Sequence, residues 1–334
     1  MTADYLHMDP FLDSTDAENM LRIAESFGSF GTYADEATSE GLGESLPQRF
    51  DVGLHYVARG LDGQGNRDDA ETASSRTNYF RETYAYGDDV RVTGIEPFME
   101  HPLMQAPARQ FSKSDEVVPA IVYANLLVPG QELAIHTDVP EFRGANRKNA
   151  PQWLLVCMLH SGLFERWRIP ILTCVSWFGA ARGGAFTFYP GGAAGPREAI
   201  PAQHNSAILI DTDRVFHGVE RVAQERPDLP PIGRDTRLHY VGDGRWVLQE
   251  SGEPVAEYGW PQIRYSVSWK AYCFKGKADR AAWEKGSDDL SIEEIVNTLE
   301  QELRRRRVLE GARPDPDDLA LMMVKTFIHF PGSA

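Results

Sequence analysis

His136 and Asp138 stand one residue apart in ELAIHTD, and His217 follows the run SAILIDT farther along the chain. On a strand, residues i and i+2 face the same side, so one strand can aim an imidazole and a carboxylate at a single point. A second imidazole arriving from across a barrel would complete a facial set on an octahedral ion. Three positions would stay open, and open positions at ferrous iron are what oxygen chemistry needs. The spacing by itself decides little, because the chain has nine histidines and an HxD pair can arise by chance.

Arg264 and Ser266 repeat the i, i+2 spacing within IRYSVSWKAYCF. A guanidinium fork beside a hydroxyl matches the distal carboxylate of a dicarboxylic acid. Pairing with an acidic neighbour at a strand edge is the plainer use of an arginine. Inside so apolar a strand, however, the charge needs a buried anionic partner. His101, His160, His204, His239 and His329 lack ligand-like neighbours in the sequence and receive no role. The three cysteines, Cys157, Cys174 and Cys273, lie in apolar runs without CxxC spacing, which argues against a disulfide framework and against a thiolate zinc site.

The elements that must carry these residues are short runs rich in β-branched and aromatic side chains: VVPAIVYANLLV, ELAIHTD, PILTCVSWF, GAFTFYP, SAILIDT and IRYSVSWKAYCF. Gly, Pro and Asn punctuate them, which predicts an antiparallel barrel or jelly roll rather than a βαβ sheet. PQWLLVCMLHSGLFERW is too long for a strand and reads as a buried helix inserted at about 151–168. Residues 14–28 read as a helix capped by Ser14 or Thr15, with Met20, Leu21, Ile23 and Ala24 on its apolar stripe. Tyr33 to Arg76 reads as loops with a strand near Phe50 to Val57, its most mobile part running from Gly60 to Ser75. Ser291 and Glu294 form a capping-box pattern ahead of Ile292, Ile295, Val296, Leu299 and Leu303, and Asp315 to Asp318 can start a final short helix. The expected fold is mainly β with flanking helices, built on a double-stranded β-helix (jelly roll, cupin-like) core at 117–275. A helical and loop region at 1–116 packs on it and helices follow at 276–334, all as one elaborated domain.

Bulk composition narrows the classes. With 42% hydrophobic and 25% charged residues the chain can bury a sizeable core, and a formal charge of −15 repels nucleic-acid phosphates. The first twenty residues have neither a basic nor an apolar signal region, and no apolar run is long enough to span a bilayer. The expected compartment is therefore cytoplasmic, and reducing enough to keep iron ferrous.

Four segments read in order, NLLVPGQELAIHTD, GGAFTFYPGG, NSAILIDTDRVFHGVERV and RYSVSWKAYCF, span residues 125–274. In combination they resemble the Fe(II)/2-oxoglutarate-dependent oxygenase superfamily, in its prolyl-hydroxylase-like branch. Members commonly show Y-x-x-G-x-x-L-x-x-H-x-D, then G-G-x-L-x-F, then H-G-V-x-x-V and a closing R-x-S. The resemblance implies that His136, Asp138 and His217 hold Fe(II), and that Arg264 pairs with the C5 carboxylate of 2-oxoglutarate with help from Ser266. Asn125 falls where the alkylation-repair branch has an Asn near the co-substrate. Leu127 stands where members often have Tyr, so a usual co-substrate hydrogen bond is either missing or supplied by Tyr123.

A larger departure is the distance from His217 to Arg264, about twice the usual one. TRLHYVGDGRWVLQ and EPVAEYGW lie between them and read as a hairpin insert at about 224–262, turning at Gly242 to Gly244 and serving as a lid or an interaction element. Arg226 and Arg237 are nearer to His217, but the first precedes a Pro and the second lacks the Ser partner.

The resemblance further implies oxidation of a substrate carbon by O2, coupled to conversion of 2-oxoglutarate to succinate and carbon dioxide. Halogenases of the superfamily replace the carboxylate ligand by Gly or Ala, so Asp138 points to hydroxylation, desaturation or ring formation. The expected substrate is a small molecule such as an amino acid or a natural-product intermediate. A peptidyl (prolyl-type) hydroxylase and a cupin-like metal-binding protein that consumes no oxygen are the alternatives. The loop VPEFRGANRKNAP should overhang the metal, which nominates Phe142, Arg143 and Arg147 as substrate contacts. Tyr79, Tyr84, Trp153 and Trp167 divide between pocket lining and core.

Overall fold

The computed structural model describes residues 5–33, 49–59, 70–222 and 229–332. Its strands, in chain order, begin with β1 (Tyr5–Met8), β2 (Ser29–Thr32), β3 (Phe80–Tyr86), β4 (Asp89–Val90), β5 (Glu116–Leu127) and β6 (Leu133–His136). They continue with β7 (Glu141–Phe142), β8 (Arg168–Ile169), β9 (Ile171–Phe178), β10 (Phe186–Phe188), β11 (Glu198–Ile200) and β12 (Ser206–Ile210). The last are β13 (His217–Val219), β14 (Thr236–Gly242), β15 (Arg245–Glu250), β16 (Glu253–Gly259) and β17 (Arg264–Phe274). The principal sheet runs β1-β12-β9-β17-β5-β3-β2-β14-β15-β16 with β4 beside β3, and a four-stranded sheet runs β11-β10-β13-β6. All the pairings are antiparallel. Two facing antiparallel sheets with helices packed outside them are the expected mainly β, jelly-roll architecture.

Alternation along β17 shows what the principal sheet is for. Tyr265, Val267, Trp269, Ala271 and Cys273 belong to one apolar core, together with Ala17, Met20, Ile23 and Ala24 of helix α1 (Ser14–Phe27). The other face of the strand presents Arg264, Ser266, Ser268 and Lys270 to the cleft between the sheets. β5, paired to β17, divides the same way: Val122, Ala124 and Leu126 face the core while Tyr123, Asn125 and Leu127 face the cleft. The apolar half anchors the sheet, since each fully buried side chain of this size contributes roughly 1.5–3 kcal/mol relative to exposure. The polar half is then held rigidly over the cleft.

Helices α2 (Phe50–Arg59), α3 (Ala70–Thr77), α4 (Glu96–Met99) and α5 (Pro102–Ser112) complete the N-terminal region. A second core joins α6 (Gln152–Ser161) to the C-terminal α8 (Ile292–Arg305) and α9 (Pro316–Phe327), while the short α7 (Lys277–Lys285) packs its Trp283 on Tyr272 and Phe274 of β17. In α8 the capping box forms as read, Ser291 accepting from the Glu294 amide and Glu294 accepting from the Ser291 amide.

Several expectations need correction. The cap of α1 is Asp13, whose carboxylate accepts from the Asp16 amide, rather than Ser14 or Thr15. Phe50 to Val57 is helix, not strand: Val52 is buried as an apolar helical position, and Asp51 is tied to Arg49 at 3.1 Å. The loop expected from Gly60 lies outside the described residues up to 69, and Ala70–Thr77 is helical. The helix expected at about 151–168 ends at Gly162, and the chain re-enters a strand at Arg168. Between His217 and Arg264 the expected hairpin forms from β14 and β15, turning at Gly242 to Gly244, and β16 adds a third strand beside β15. They extend the far edge of the principal sheet beyond β2, and none of their residues lines the metal-side cleft.

Candidate active site

His136 closes β6 and His217 opens β13, and the two residues are directly opposite in the antiparallel ladder between these strands. Their ring centroids are 4.4 Å apart. The ladder needs Gly218 at its tightest point, because a Cβ there would lie 2.7 Å from the Leu133 carbonyl oxygen and 2.8 Å from the end of Ile135. Each imidazole is oriented by its Nδ1, His136 against the Ala134 carbonyl at 2.7 Å and His217 against the Val215 carbonyl at 2.9 Å. A carbonyl can only accept, so both Nδ1 atoms carry hydrogen and both Nε2 atoms keep a lone pair. Asp138 brings its Oδ1 to 3.7 Å from His136 Nε2 and 3.9 Å from His217 Nε2. Among the described residues these three form the one group of His, Cys, Asp and Glu side chains that converge closely enough to hold a metal ion, with ligand atoms within 4.8 Å of one another. Neutral nitrogen donors and one carboxylate fit a borderline divalent ion, which these three groups would hold from one side.

The second carboxylate oxygen of Asp138 is already taken. Lys270 Nζ donates to Oδ2 at 2.6 Å from the inward face of β17. Burial would raise the Asp138 carboxyl, but the Lys270 ammonium first, then the two imidazoles, hold it well below the usual carboxylate range. Burial likewise opposes the Lys270 charge, and Asp138 overrides it, so the lysine is raised. Burial, reinforced by His136, pushes His217 down to about 3, which keeps its Nε2 unprotonated at neutral pH. Lys270 was not singled out in the sequence. The signal was its parity with Arg264 and Ser266 on one strand face.

Six residues before Lys270 the same face carries Arg264, 3% exposed. Its Nε donates to the Gly184 carbonyl at 2.6 Å and its Nη1 to Ser266 Oγ at 3.2 Å. Gly184 has φ +64°, and a Cβ there would collide with the Arg264 side chain. Among the described residues Arg264 has no carboxylate partner, and burial pushes its guanidinium down to about 9, still protonated at neutral pH. A cation this deep calls for an anion from outside the chain. Asn125, opposite Ser266 in the ladder, leaves its buried side-chain oxygen without a partner in the same cavity.

The cleft has three lobes that share Arg81 and Asp138. One of about 530 Å³ runs from the histidines to Arg264 and Ser266, and includes Tyr123 and Asn125. A second of about 380 Å³ adjoins His136. The third, about 1260 Å³, opens past Lys270 toward Tyr86 and Trp283. Thus His136, Asp138, His217, Arg264, Ser266, Asn125 and Tyr123 all meet in one lobe.

Phe142 and Arg143 do not join them. Phe142 is 2% exposed in the second core, its ring edge-on to Phe164. Arg143 is held by Asp279 at 2.7 Å and Asp288 at 3.0 Å. The loop turns after Glu141, pairing with β8 and directing those two side chains away from the metal side. Arg147, from the same loop, does line the cleft. Tyr79 lines it too, while Tyr84 is core, bonded to Tyr265 at 3.2 Å. Trp153 and Trp167 pack against the second core. Arg226 lies outside the described residues, and Arg237 sits on the edge meander beside Glu82 at 3.4 Å. Arg81, stacked 4.0 Å over the Tyr123 ring, is a cleft residue that sequence reasoning passed over.

No family model matches this sequence, and no curated protein matches it. Among solved structures it is similar to a 2OG-Fe(II) oxygenase family oxidoreductase from Burkholderia pseudomallei, with 9% identity, TM-score 0.34, and 58% of this chain against 66% of that one. It is also similar to SnoK, described as a non-heme alpha-ketoglutarate-dependent carbocyclase from nogalamycin biosynthesis, with 10% identity, TM-score 0.42, and 81% against 80%. A Pseudomonas putida prolyl-4-hydroxylase gives 12% identity, TM-score 0.37, and 81% against 94%. Similarities this distant add no weight to the geometry. Among the described residues no helix is long and apolar enough to cross a membrane.

Proposed function

We propose that this protein is an Fe(II)- and 2-oxoglutarate-dependent oxygenase acting on a carbon centre of a small molecule. The observation that carries the reading is the pairing, within one lobe, of a facial two-histidine, one-carboxylate set with a buried guanidinium that lacks a carboxylate partner among the described residues. A metal-binding protein without a dicarboxylate co-substrate has no use for the second half of that arrangement. His136 and His217 would hold iron through Nε2 and Asp138 through Oδ1, and 2-oxoglutarate would place its far carboxylate on Arg264 and Ser266.

When bound, the iron and co-substrate supply the oxidising chemistry. The chain supplies the rest. Lys270 donates to Asp138 Oδ2, so Oδ1 is the oxygen that would be left to hold the metal. Ala134 and Val215 fix the tautomers of the ligands through their carbonyls. Gly184 keeps the Arg264 side chain against its carbonyl and turned into the lobe. Phe186, Val175 and Leu127 line the same lobe with apolar surface that limits water.

The test is anaerobic addition of Fe(II) and then 2-oxoglutarate, read by the weak visible charge-transfer absorption of the chelate. The absorption should form in the wild-type protein and require far more co-substrate in Arg264→Ala. Tight iron binding with no such absorption would overturn the proposal in favour of a cupin-like metal protein.

A further inference from the structure

The largest lobe of the cleft adjoins the Arg264 lobe through Arg81, Tyr123 and Asp138 but differs from it in chemistry. Its wall carries four cationic side chains, Arg81, Arg147, Lys148 and Lys270, against two carboxylates, Asp138 and Glu141. On a chain with a formal charge of −15, this cavity has a surplus of positive charge. Lys270 is committed to Asp138. Glu141 accepts the Tyr272 hydroxyl on both oxygens at 3.1 Å, and burial raises its carboxyl despite the nearby cations. Arg147 and Lys148 are exposed, on the loop that follows the metal ligands. Neither has a carboxylate within 4 Å among the described residues.

Opposite these charges stands an aromatic platform. Trp283 of α7 lies 5.2 Å from Tyr272 and 5.1 Å from Phe274 between ring centroids. Tyr86, 46% exposed, faces the same lobe with Lys148 Nζ 5.8 Å from its ring centre. Ile121 and Ile171 add aliphatic surface. Flat apolar walls beside two cations that have no carboxylate partner among the described residues recognise a molecule that has both a planar apolar body and an anionic group.

We infer that the substrate is an anionic small molecule with a flat, largely apolar body, seated on Trp283, Tyr272 and Tyr86 with its anionic group toward Arg147 and Lys148. The word substrate rests on the oxygenase reading, whereas the chemistry of the chamber does not. A peptide substrate with a neutral prolyl group would bring neither cation an anion.

The test uses two fluorescent probes that share one skeleton, 1-anilinonaphthalene-8-sulfonate and the uncharged N-phenyl-1-naphthylamine, titrated into the full chain. The sulfonate should bind roughly tenfold more tightly than the neutral dye, and an Arg147→Glu, Lys148→Glu double variant should erase that preference. A Trp283→Ala variant should weaken both dyes several-fold alike. Equal affinities in the wild type, or a preference that survives charge reversal, would overturn the inference. The Fe(II)/2-oxoglutarate absorption of the same wild-type sample separates the two readings. Absorption without dye preference removes the substrate class and spares the oxygenase. Dye preference without absorption removes the oxygenase and leaves the chamber's chemistry standing.

Discussion

Arg264 and Lys270 lie on the same face of one strand, both almost fully buried, yet they meet opposite electrostatic fates. Lys270 has Asp138 at 2.6 Å and is raised by it. Arg264 has a carbonyl and a hydroxyl but no described carboxylate, and is lowered by burial. Equal burial therefore does not mean an equal role. The lysine end is a finished ion pair belonging to the protein, whereas the arginine end is half of one, with no carboxylate opposite it among the described residues. Substitutions at the two ends should consequently move different observables.

The largest effect is expected at the metal. Asp138→Ala removes a ligand and also strands Lys270, so Fe(II) affinity should fall more than about 100-fold, since even outer partners of a metal site are worth 10–100-fold. The same variant should lose about 3–5 kcal/mol of stability from the orphaned cation, measurable by denaturant titration. An unchanged iron isotherm would break the triad assignment.

Lys270→Met keeps the bulk and removes the charge. The metal-free protein should lose about 3–5 kcal/mol, because Asp138 is then the buried group without a partner. Added Mn(II) should raise Tm more in this variant than in the wild type, since the ion takes over the neutralisation. No loss of stability would show that the ion pair is incidental.

Arg264→Leu sharpens the contrast. It should weaken 2-oxoglutarate about 100-fold, the equivalent of a charge-assisted contact of roughly 2.7 kcal/mol, while leaving the Tm of the free protein unchanged or higher. A destabilised protein with normal co-substrate affinity would make the two ends alike. Ser266→Ala is the smallest step, roughly 1 kcal/mol or about fivefold in co-substrate affinity by the same titration.

The residues that were legible in the sequence are those whose position follows from local periodicity. Arg264 with Ser266 could be placed on one strand face because i, i+2 geometry needs no tertiary information, whereas β6 ends at His136 and Asp138 lies two residues past it, so the strand rule covered only half of that pair. The Ser291 capping box and the apolar stripe of α1 were readable for the same local reason. Lys270 obeyed the same parity rule but was overlooked in a strand read as apolar, although its i+6 relation to Arg264 placed it on the polar face. Phe142 and Arg143 could not be placed, since the loop's direction is fixed by pairing with Arg168 and by Asp279 and Asp288 far along the chain. Residues 50–57 misled because FDVGLHYV alternates well enough for a strand, and only burial of one helical side of it resolves the choice.

The two imidazoles are set by a backbone ladder, residue opposite residue, rather than by adaptable loops. A gap inherited from strand spacing is fixed, but the divalent first-row ions differ little in radius, so ligand chemistry outweighs fit in this pocket. Nickel, copper and zinc bind such nitrogen and carboxylate sets more tightly than ferrous iron. The correct ion must therefore be secured by what the surroundings deliver, and protein produced in metal-rich medium should arrive with a mixed metal content that reflects supply rather than sequence.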